Sequence, residues 1–459
     1  MAHLYIAAAH KSSGKTSVSI GLTAALSRSG MAVQTFKKGP DYIDPLWLER
    51  ASGRPCFNLD FFTQSHEEIR ATFAAERTGA DVCLIEGNKG LYDGLDTGGA
   101  DSNAALAKLL AAPVVLVIDT TGTTRGIAPL VRGYLDFDAD VNIAGVVLNK
   151  VGGSRHEGKL RAALERYTDA GVLGAIGRDT ALEIPERHLG LVPANEASGE
   201  GAADAVIARL ADAVAAGVDL ERIVAVAAAG ADAPAMTSTA PAYPAPDVRI
   251  AIARDAAFGF YYADDLDAFA RAGAELVPFN ALRDPKLPEA DGLLIGGGFP
   301  ETQLDALAAN TSLLTDIRGK LASGMPAYAE CGGLMYLSRS INWKGVARGM
   351  VGLVPADVVV EERPQGRGYM RLEETAAHPW PAAPNAEPGV TPAHEFHHAR
   401  LLNMEPGATF AYRVLRGTGI DGRHDALVIN NLVAGFAHHR NTKRNPWIGR
   451  FVGYVRGCA

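Results

Sequence analysis

Short, nearly continuous apolar runs closed by turn residues recur along the first half of the chain, at 1–9, 32–36, 82–87, 113–119 and 143–148. Between and after them lie stretches with helical spacing, among them 17–27 and 202–216. Uninterrupted apolar runs are what strands buried on both faces look like, and alternation of strand with helix predicts a parallel sheet covered by helices on both sides. The pattern breaks over 227–246, where Ala, Gly, Pro, Ser and Thr leave little to bury, and this stretch is predicted to be a linker. The alternation restarts at Val248, with strands at 248–253, 275–279 and 292–295, a helix near 264–272 and an apolar run at 426–429. The reading is therefore α/β throughout, with domains at 1–226 and 247–459.

Composition narrows the classes. At 459 residues the chain exceeds one ordinary core. Its apolar share of 47% and charged share of 21% are those of a soluble globular protein. A formal charge of -8 with no compensating basic run argues against nucleic acid as a partner. No apolar run has the length of a membrane span, so no membrane partner is expected. The first residues lead directly into a phosphate loop, which marks them as a strand rather than a signal peptide. Cys56, Cys83, Cys331 and Cys458 are scattered without a C-x-x-C pair, as suits a reducing cytoplasm.

The candidate chemistry falls into two sets. In the second domain, Ala329-Glu-Cys-Gly-Gly333 lies between an apolar segment and a helix-like one, the layout of a nucleophile elbow. The turn lifts the Cys331 thiol out of the sheet, and the helix start behind it favours the thiolate. Glycine turns one unit earlier place the amides of Gly297 and Gly298 as half of an oxyanion hole, with Gly332 as the other half. A Cys–His pair needs a downstream histidine, and the residues alone offer His438 or His439. In the first domain, Ala9 to Thr16 ends in Gly14-Lys15-Thr16. Amides from Ser12, Ser13 and Gly14 would cradle ATP phosphates, Lys15 would reach the outer ones, and Thr16 would hold Mg2+. Glu86, at a strand end, is placed as an acid for that metal, Asp93 shares its loop, and Asn149 suits reading an adenine edge. Lys37 to Pro45 puts a lysine and two carboxylates at another strand end, the edge where open α/β sheets bind ligands. One decoy is His394-Glu-Phe-His-His398, which matches the H-E-x-x-H zinc pattern but is preceded by Pro392 and short for the helix that pattern needs.

The series Lys37-Lys-Gly-Pro-Asp-Tyr-Ile-Asp-Pro45, Glu86-Gly-Asn-Lys-Gly-Leu-Tyr-Asp-Gly94 and Ala329-Glu-Cys-Gly-Gly-Leu-Met-Tyr-Leu337 resembles the cobyrinate a,c-diamide synthase family over nearly the whole chain. Further matches are Asn58-Leu-Asp60, residues 185–191, residues 254–258 and His394-Glu-Phe-His397. The resemblance implies a dethiobiotin-synthetase-like P-loop domain joined to a class I glutamine amidotransferase domain. The match at Ala434-Gly-Phe-Ala-His438 assigns the catalytic histidine to position 438. It further implies that Asp41, Tyr42 and Asp93 lie near substrate acetates and metal, with Asp41 a metal ligand beside Thr16 and Glu86, and that Lys37 holds the carboxylate. The implied reaction is ATP-dependent, glutamine-hydrolysing amidation of the a and c acetates of a tetrapyrrole through acyl phosphates, with ATP and glutamine as co-substrates.

Three positions depart from the pattern. Arg440 stands where many triad amidotransferases carry the third-member Glu, Ala9 replaces the first P-loop glycine, and Asn88-Lys89 replaces the usual Val-Met. The last is similar to a branch that amidates siroheme, so siroheme, hydrogenobyrinate and nickel-sirohydrochlorin stay open beside cobyrinate. A P-loop regulatory ATPase with a degenerate amidotransferase domain is the reading from a different class. The oligomeric state is open, with a homodimer among the options.

Overall fold

A computed structural model describes residues 2–187, 190–196, 201–230, 243–382 and 389–459. The chain forms two compact units, Met1–Ala240 and Pro241–Ala459.

The first unit is built on a fully parallel sheet. Its strands are β1 (Ala2–Ala8), β2 (Val33–Lys38), β3 (Phe57–Leu59), β4 (Val82–Glu86), β5 (Val114–Asp119), β6 (Ile143–Val151) and β7 (Val172–Gly177), in spatial order β3-β2-β4-β1-β5-β6-β7. β1 lies between β4 and β5, so the chain reverses its winding direction beside β1, and open α/β sheets bind ligands at the carboxyl ends of the strands beside such a reversal. Helices cover the sheet, and α1 (Lys15–Arg28) packs against the helix Ala202–Gly217 at close range. Gly21 permits that approach, because a Cβ there would stand 2.5 Å from Val214 Cγ2 and 2.7 Å from the Leu210 carbonyl.

Two boundaries differ from the sequence reading. β2 runs on through Lys37 and Lys38 rather than ending at Phe36, because both residues pair with Asn58 and Leu59 of β3 and Lys37 also pairs with Glu86 of β4. The helix Leu220–Ala229 continues into the segment predicted as linker, and its Ala227 is wholly buried. Of that linker, residues 231–242 lie outside the described residues, as do 188 and 189 of the 185–191 motif.

The second unit carries a mixed sheet. Strands Ala274–Phe279, Val248–Ala253, Gly292–Ile295, Ala327–Glu330 and Leu432–Gly435 are parallel neighbours. His424–Ile429, Phe410–Arg416, Gly366–Glu374 and Val390–His397 extend it antiparallel. Leu432–Gly435 was not legible as a separate strand. It follows His424–Ile429 through the tight turn at Asn430 and Asn431, with Asn430 at φ 51, a backbone that asparagine tolerates. The C-terminal helix Trp447–Cys458 closes one face, burying Trp447, Ile448, Phe451, Val452 and Val455.

Candidate active site

In the first unit the chain leaves β1 at Ala8 and enters α1 at Lys15. Gly14 has φ 82, and a Cβ there would lie 2.1 Å from Asn149 Nδ2, so both backbone and space demand glycine. The loop is held from behind. Asn149 Nδ2 donates to the Ser13 carbonyl at 2.9 Å, Lys150 Nζ to the Ser12 carbonyl at 3.1 Å, and the Tyr134 hydroxyl to the Ala9 carbonyl. Asn149 thus braces the loop with its amide nitrogen. It also lines a cleft with Gly14, Lys150, Gly177, Arg178 and Asp179 at the carboxyl ends of β6 and β7.

Lys15, Thr16 and Lys37 converge on one carboxylate. Lys15 Nζ donates to Glu86 Oε1 at 3.0 Å, the Thr16 hydroxyl at 2.7 Å and Lys37 Nζ at 2.9 Å. Asp44, from helix α2 (Ile43–Ser52), joins them. Its Oδ2 lies 2.5 Å from Lys37 Nζ and 3.2 Å from the Thr16 hydroxyl. The third proton of the Lys37 ammonium goes to the Gly87 carbonyl at 3.1 Å. The geometry therefore disagrees with the expectation that Lys37 grips a substrate carboxylate, since its donors are spent on the protein. Asp41 Oδ1 accepts the Ile43 and Asp44 amides and so caps α2, its Oδ2 lies 3.9 Å from Lys37 Nζ, and the Asp carboxylate bonded to the Thr16 hydroxyl is that of Asp44. Tyr42 is buried at the same helix start. Asp93 accepts the Gly90 amide at 3.0 Å and shapes the loop after β4.

Electrostatics separate the two acids. Burial alone would raise Glu86, but the Lys37 and Lys15 ammoniums outweigh it and hold the carboxyl below its usual range. Burial and then the neighbouring Asp41 push Asp44 up. Glu86 Oε2 is buried with no hydrogen-bond partner among the described residues. The Glu86 carboxylate with its unpartnered oxygen, the Thr16 hydroxyl and the Asp44 carboxylate together offer an all-oxygen donor set, suited to a hard divalent cation such as Mg2+.

In the second unit, Ala327–Glu330 ends at Cys331, which takes φ 47 and ψ -102 before the helix Gly332–Leu337. That turn is set by parallel pairing of Glu330 with Gly435 and by the Cys331 amide donating to the Gly435 carbonyl at 2.7 Å. A Cβ on Gly332 would lie 3.1 Å from the Gly298 amide nitrogen and 3.0 Å from its carbonyl, and one on Gly333 would lie 2.3 Å from the Ile295 carbonyl. The backbones of Gly298 and Gly332 thus adjoin beside Cys331. A Cβ on Gly297 would meet His438 Cε1 at 2.6 Å, which places that glycine against the imidazole.

The imidazole of His438 hydrogen-bonds Cys331 on one side, while its Nδ1 lies 3.2 Å from Glu330 Oε2 on the other. Burial would lower its pKa, but the bonds to Cys331 and Glu330 raise it to about 10. Glu330 is itself fixed, its Oε1 accepting the Tyr328 hydroxyl at 2.7 Å and the His439 amide at 2.9 Å. His394 stacks on His438 with centroids 4.9 Å apart. Burial and the adjacent His438 hold His394 well below the usual histidine range, so it backs the imidazole without adding charge. His439 turns away. Its Nδ1 meets Asn445 Nδ2 at 3.1 Å, its ring packs on Tyr412, and burial lowers it to about 4. Arg440, where a third-member Glu was missing, is paired with Asp264 at 2.7 Å over the Tyr262 ring.

Two functional candidates escaped the sequence reading. Asp44 stood in the motif that contains Asp41, and only the helix start decides which of the two faces Thr16. Glu330 is adjacent to Cys331, and its side chain reaches His438 because the chain reverses so sharply at Cys331. The zinc decoy disagrees with its motif's geometry. Residues 394–397 close the strand Val390–His397 and His398 lies at the bend beyond it, so the helix that would bring both histidines to one face is absent.

Comparison with known proteins agrees with both halves. Residues 4–192 match the CobQ/CobB/MinD/ParA nucleotide binding domain, and residues 249–446 match the CobB/CobQ-like glutamine amidotransferase domain. The chain is 46% identical over 441 residues to a cobyrinate a,c-diamide synthase of Magnetococcus marinus, covering 95% of this chain and 93% of that one. It is 40% identical over 473 residues to the protein of that name from Methanosarcina acetivorans, covering 97% and 94%. For the Archaeoglobus fulgidus protein of that name, identity is 40% over 444 residues, covering 96% and 94%. With likeness running through both units, the chain belongs to the cobyrinate a,c-diamide synthase family and is an enzyme of that type, a ligase with glutamine as amido donor.

Proposed function

We propose that this chain converts the a and c acetate carboxylates of cobyrinate into carboxamides at the expense of ATP and glutamine. The observation that carries the reading is the presence in one chain of a complete Cys331–His438–Glu330 set and a complete Lys15–Thr16–Glu86–Asp44 set. At the first, the imidazolium of His438 stabilises the Cys331 thiolate, which attacks the glutamine carboxamide. The amides of Gly298 and Gly332 adjoin the place where the oxyanion forms, with Gly297 the other candidate donor. His438 then gives its proton to the departing ammonia and takes one from the water that releases glutamate. Glu330 holds the imidazole in the tautomer that both transfers need.

At the second set, a substrate carboxylate oxygen attacks the γ-phosphorus of ATP. ADP leaves, and ammonia displaces phosphate from the acyl phosphate to give the carboxamide. Lys15 and the loop amides from Ser12 to Gly14 are placed for the phosphates. Mg2+, held by Thr16, Asp44 and Glu86, would supply charge neutralisation on the transferring phosphoryl group. Lys37 keeps Asp44 and Glu86 side by side as oxygen donors, and Asp41 fixes the helix that presents Asp44.

The test is a mass-spectrometric product assay with ATP, Mg2+ and glutamine, offering cobyrinate, hydrogenobyrinate, siroheme and nickel-sirohydrochlorin in parallel. Diamide from cobyrinate is expected. Amide on another macrocycle alone would move the substrate assignment, and no amide on any of them, even with ammonium, would leave the regulatory-ATPase reading standing.

A further inference from the structure

Lys37 and Lys38 are consecutive residues of β2 and point to opposite sides of the sheet. Both are buried, yet their ammonium groups are treated differently. Lys37 has three acceptors within 3.1 Å. Lys38 is 7% exposed, and its Nζ has one hydrogen bond among the described residues, to Asn88 Oδ1 at 3.4 Å, well beyond the usual length. No carboxylate comes within ion-pair distance of it among those residues. The nearest acids are committed elsewhere: Asp60 accepts from the Phe62 amide and the Thr63 hydroxyl, and Asp101 accepts the Leu95 and Asp96 amides. The other neighbour is the Phe61 ring, 6.0 Å away. A buried ammonium with two unmatched protons is costly, and burial, then the repulsion of Lys89 and Lys37, accordingly lowers its pKa against the pull of Asp60 and Asp101.

What lies beside Lys38 opens outward. Asn88 is half-buried and Lys89 exposed, at the turn after β4. The Asn88 backbone is clamped by Asn103, whose Oδ1 accepts the Asn88 amide at 2.9 Å and whose Nδ2 donates to the Asn88 carbonyl. Its side chain rests on Gly39, where a Cβ would come within 2.9 Å of Asn88 Nδ2. Lys38, Asn88 and Lys89 therefore stand at the carboxyl ends of the neighbouring strands β2 and β4, whose residues Lys37 and Glu86 belong to the carboxylate cluster.

We infer that Lys38, Asn88 and Lys89 form an anion subsite that takes a carboxylate side chain of the substrate, one not undergoing reaction, and so orients the macrocycle over the carboxylate cluster. This rests on the polycarboxylate substrate proposed above. The bound carboxylate would supply the acceptors Lys38 lacks, and Asn88 Nδ2 would donate to its second oxygen.

The experiment is a binding titration on the full-length protein, followed by the absorption of cobyrinate, with ATP affinity measured separately. Lys38→Met removes the charge at similar length, and Asn88→Ala, at a half-exposed turn, is the second variant should Lys38→Met fold poorly. We expect Lys38→Met to weaken cobyrinate binding at least ten-fold, Asn88→Ala several-fold, and Lys38→Arg to retain most of it, with ATP affinity changed less than two-fold throughout. A fully esterified cobyrinate should bind wild type weakly and be indifferent to Lys38→Met. Wild-type binding of cobyrinate that neither variant weakens overturns the subsite alone. A wild-type protein that binds no tetrapyrrole overturns the substrate reading and the subsite with it.

Discussion

Glu330→Gln isolates one atom of the glutaminase site. The Gln carbonyl can keep the position of Oε1 and still accept the Tyr328 hydroxyl and the His439 amide, so the side chain stays anchored. What changes is the group 3.2 Å from His438 Nδ1, where an amide donor replaces an acceptor carboxylate. Nδ1–H then has nothing to donate to, the imidazolium loses its counter-charge, and the favoured neutral tautomer carries its proton on the side facing Cys331. A hydrogen bond to a charged group contributes about 1.5–3 kcal/mol. If that difference appears in the transition state, glutaminase kcat/KM falls roughly 10- to 150-fold. The pH profile adds a readout that a packing defect would not move. Wild-type His438 has its pKa raised to about 10, so the protonated form persists through neutral pH and is lost as pH rises through that value. In Glu330→Gln the alkaline limb should shift to lower pH. Glutamate release measured from pH 6 to 10.5 tests both points, with ammonium-supported amidation as the control for the other half-site. A variant with wild-type kcat/KM and an unmoved alkaline limb would refute a positioning role for Glu330.

Other outcomes follow from the same geometry. Cys331→Ala should abolish glutamine-dependent amidation and leave ammonium-supported amidation, both read by product mass. Gly332→Ala places a methyl about 3 Å from the Gly298 amide and should lower glutaminase kcat roughly 100-fold with little change in melting temperature. Lys37→Met leaves Asp44 and Glu86 buried beside each other without their shared cation. A loss of about 3–5 kcal/mol is expected, seen as a lower denaturant midpoint. The raised pKa of His438 also has a stability sign: its contribution is full below the unfolded value of about 6.5 and disappears as pH rises through 10. Chemical denaturation at pH 7 and 10.5 should therefore show a larger alkaline loss for wild type than for His438→Gln.

Much of this arrangement was legible in the chain, and the illegible parts share a cause. Gly14-Lys15-Thr16 and Cys331 carry their backbone demands locally, so the loop and the elbow could be read from neighbours in sequence. Strands such as Val82–Glu86 were legible because burial on both faces leaves an unbroken apolar run. Lys37 and Lys38 hid the end of β2, since lysines in a buried strand look like a loop until the partners supplying acceptors are known. The choice of Asp44 over Asp41 depends on one helix start, and the use of Glu330 on the sharp turn at Cys331. Arg440 looked like a gap in the triad because the sequence shows the missing Glu but not that Glu330 reaches His438 from the other side of the turn, while Arg440 pairs with Asp264.

The pairing of Ala327–Glu330 with Leu432–Gly435 brings Glu330, Cys331 and His438 together across a long stretch of chain. Glu330 and Cys331 travel as one piece, and His438 arrives three residues beyond Gly435. A slip of one residue in that ladder would carry His438 about 3.3 Å along the sheet and turn the alternate face of its strand toward the thiol. Glutaminase turnover is thus a proofreader of assembly: a chain folded with the wrong register would be compact and silent, and recovered activity during refolding would count the molecules whose distant strands had found their proper alignment.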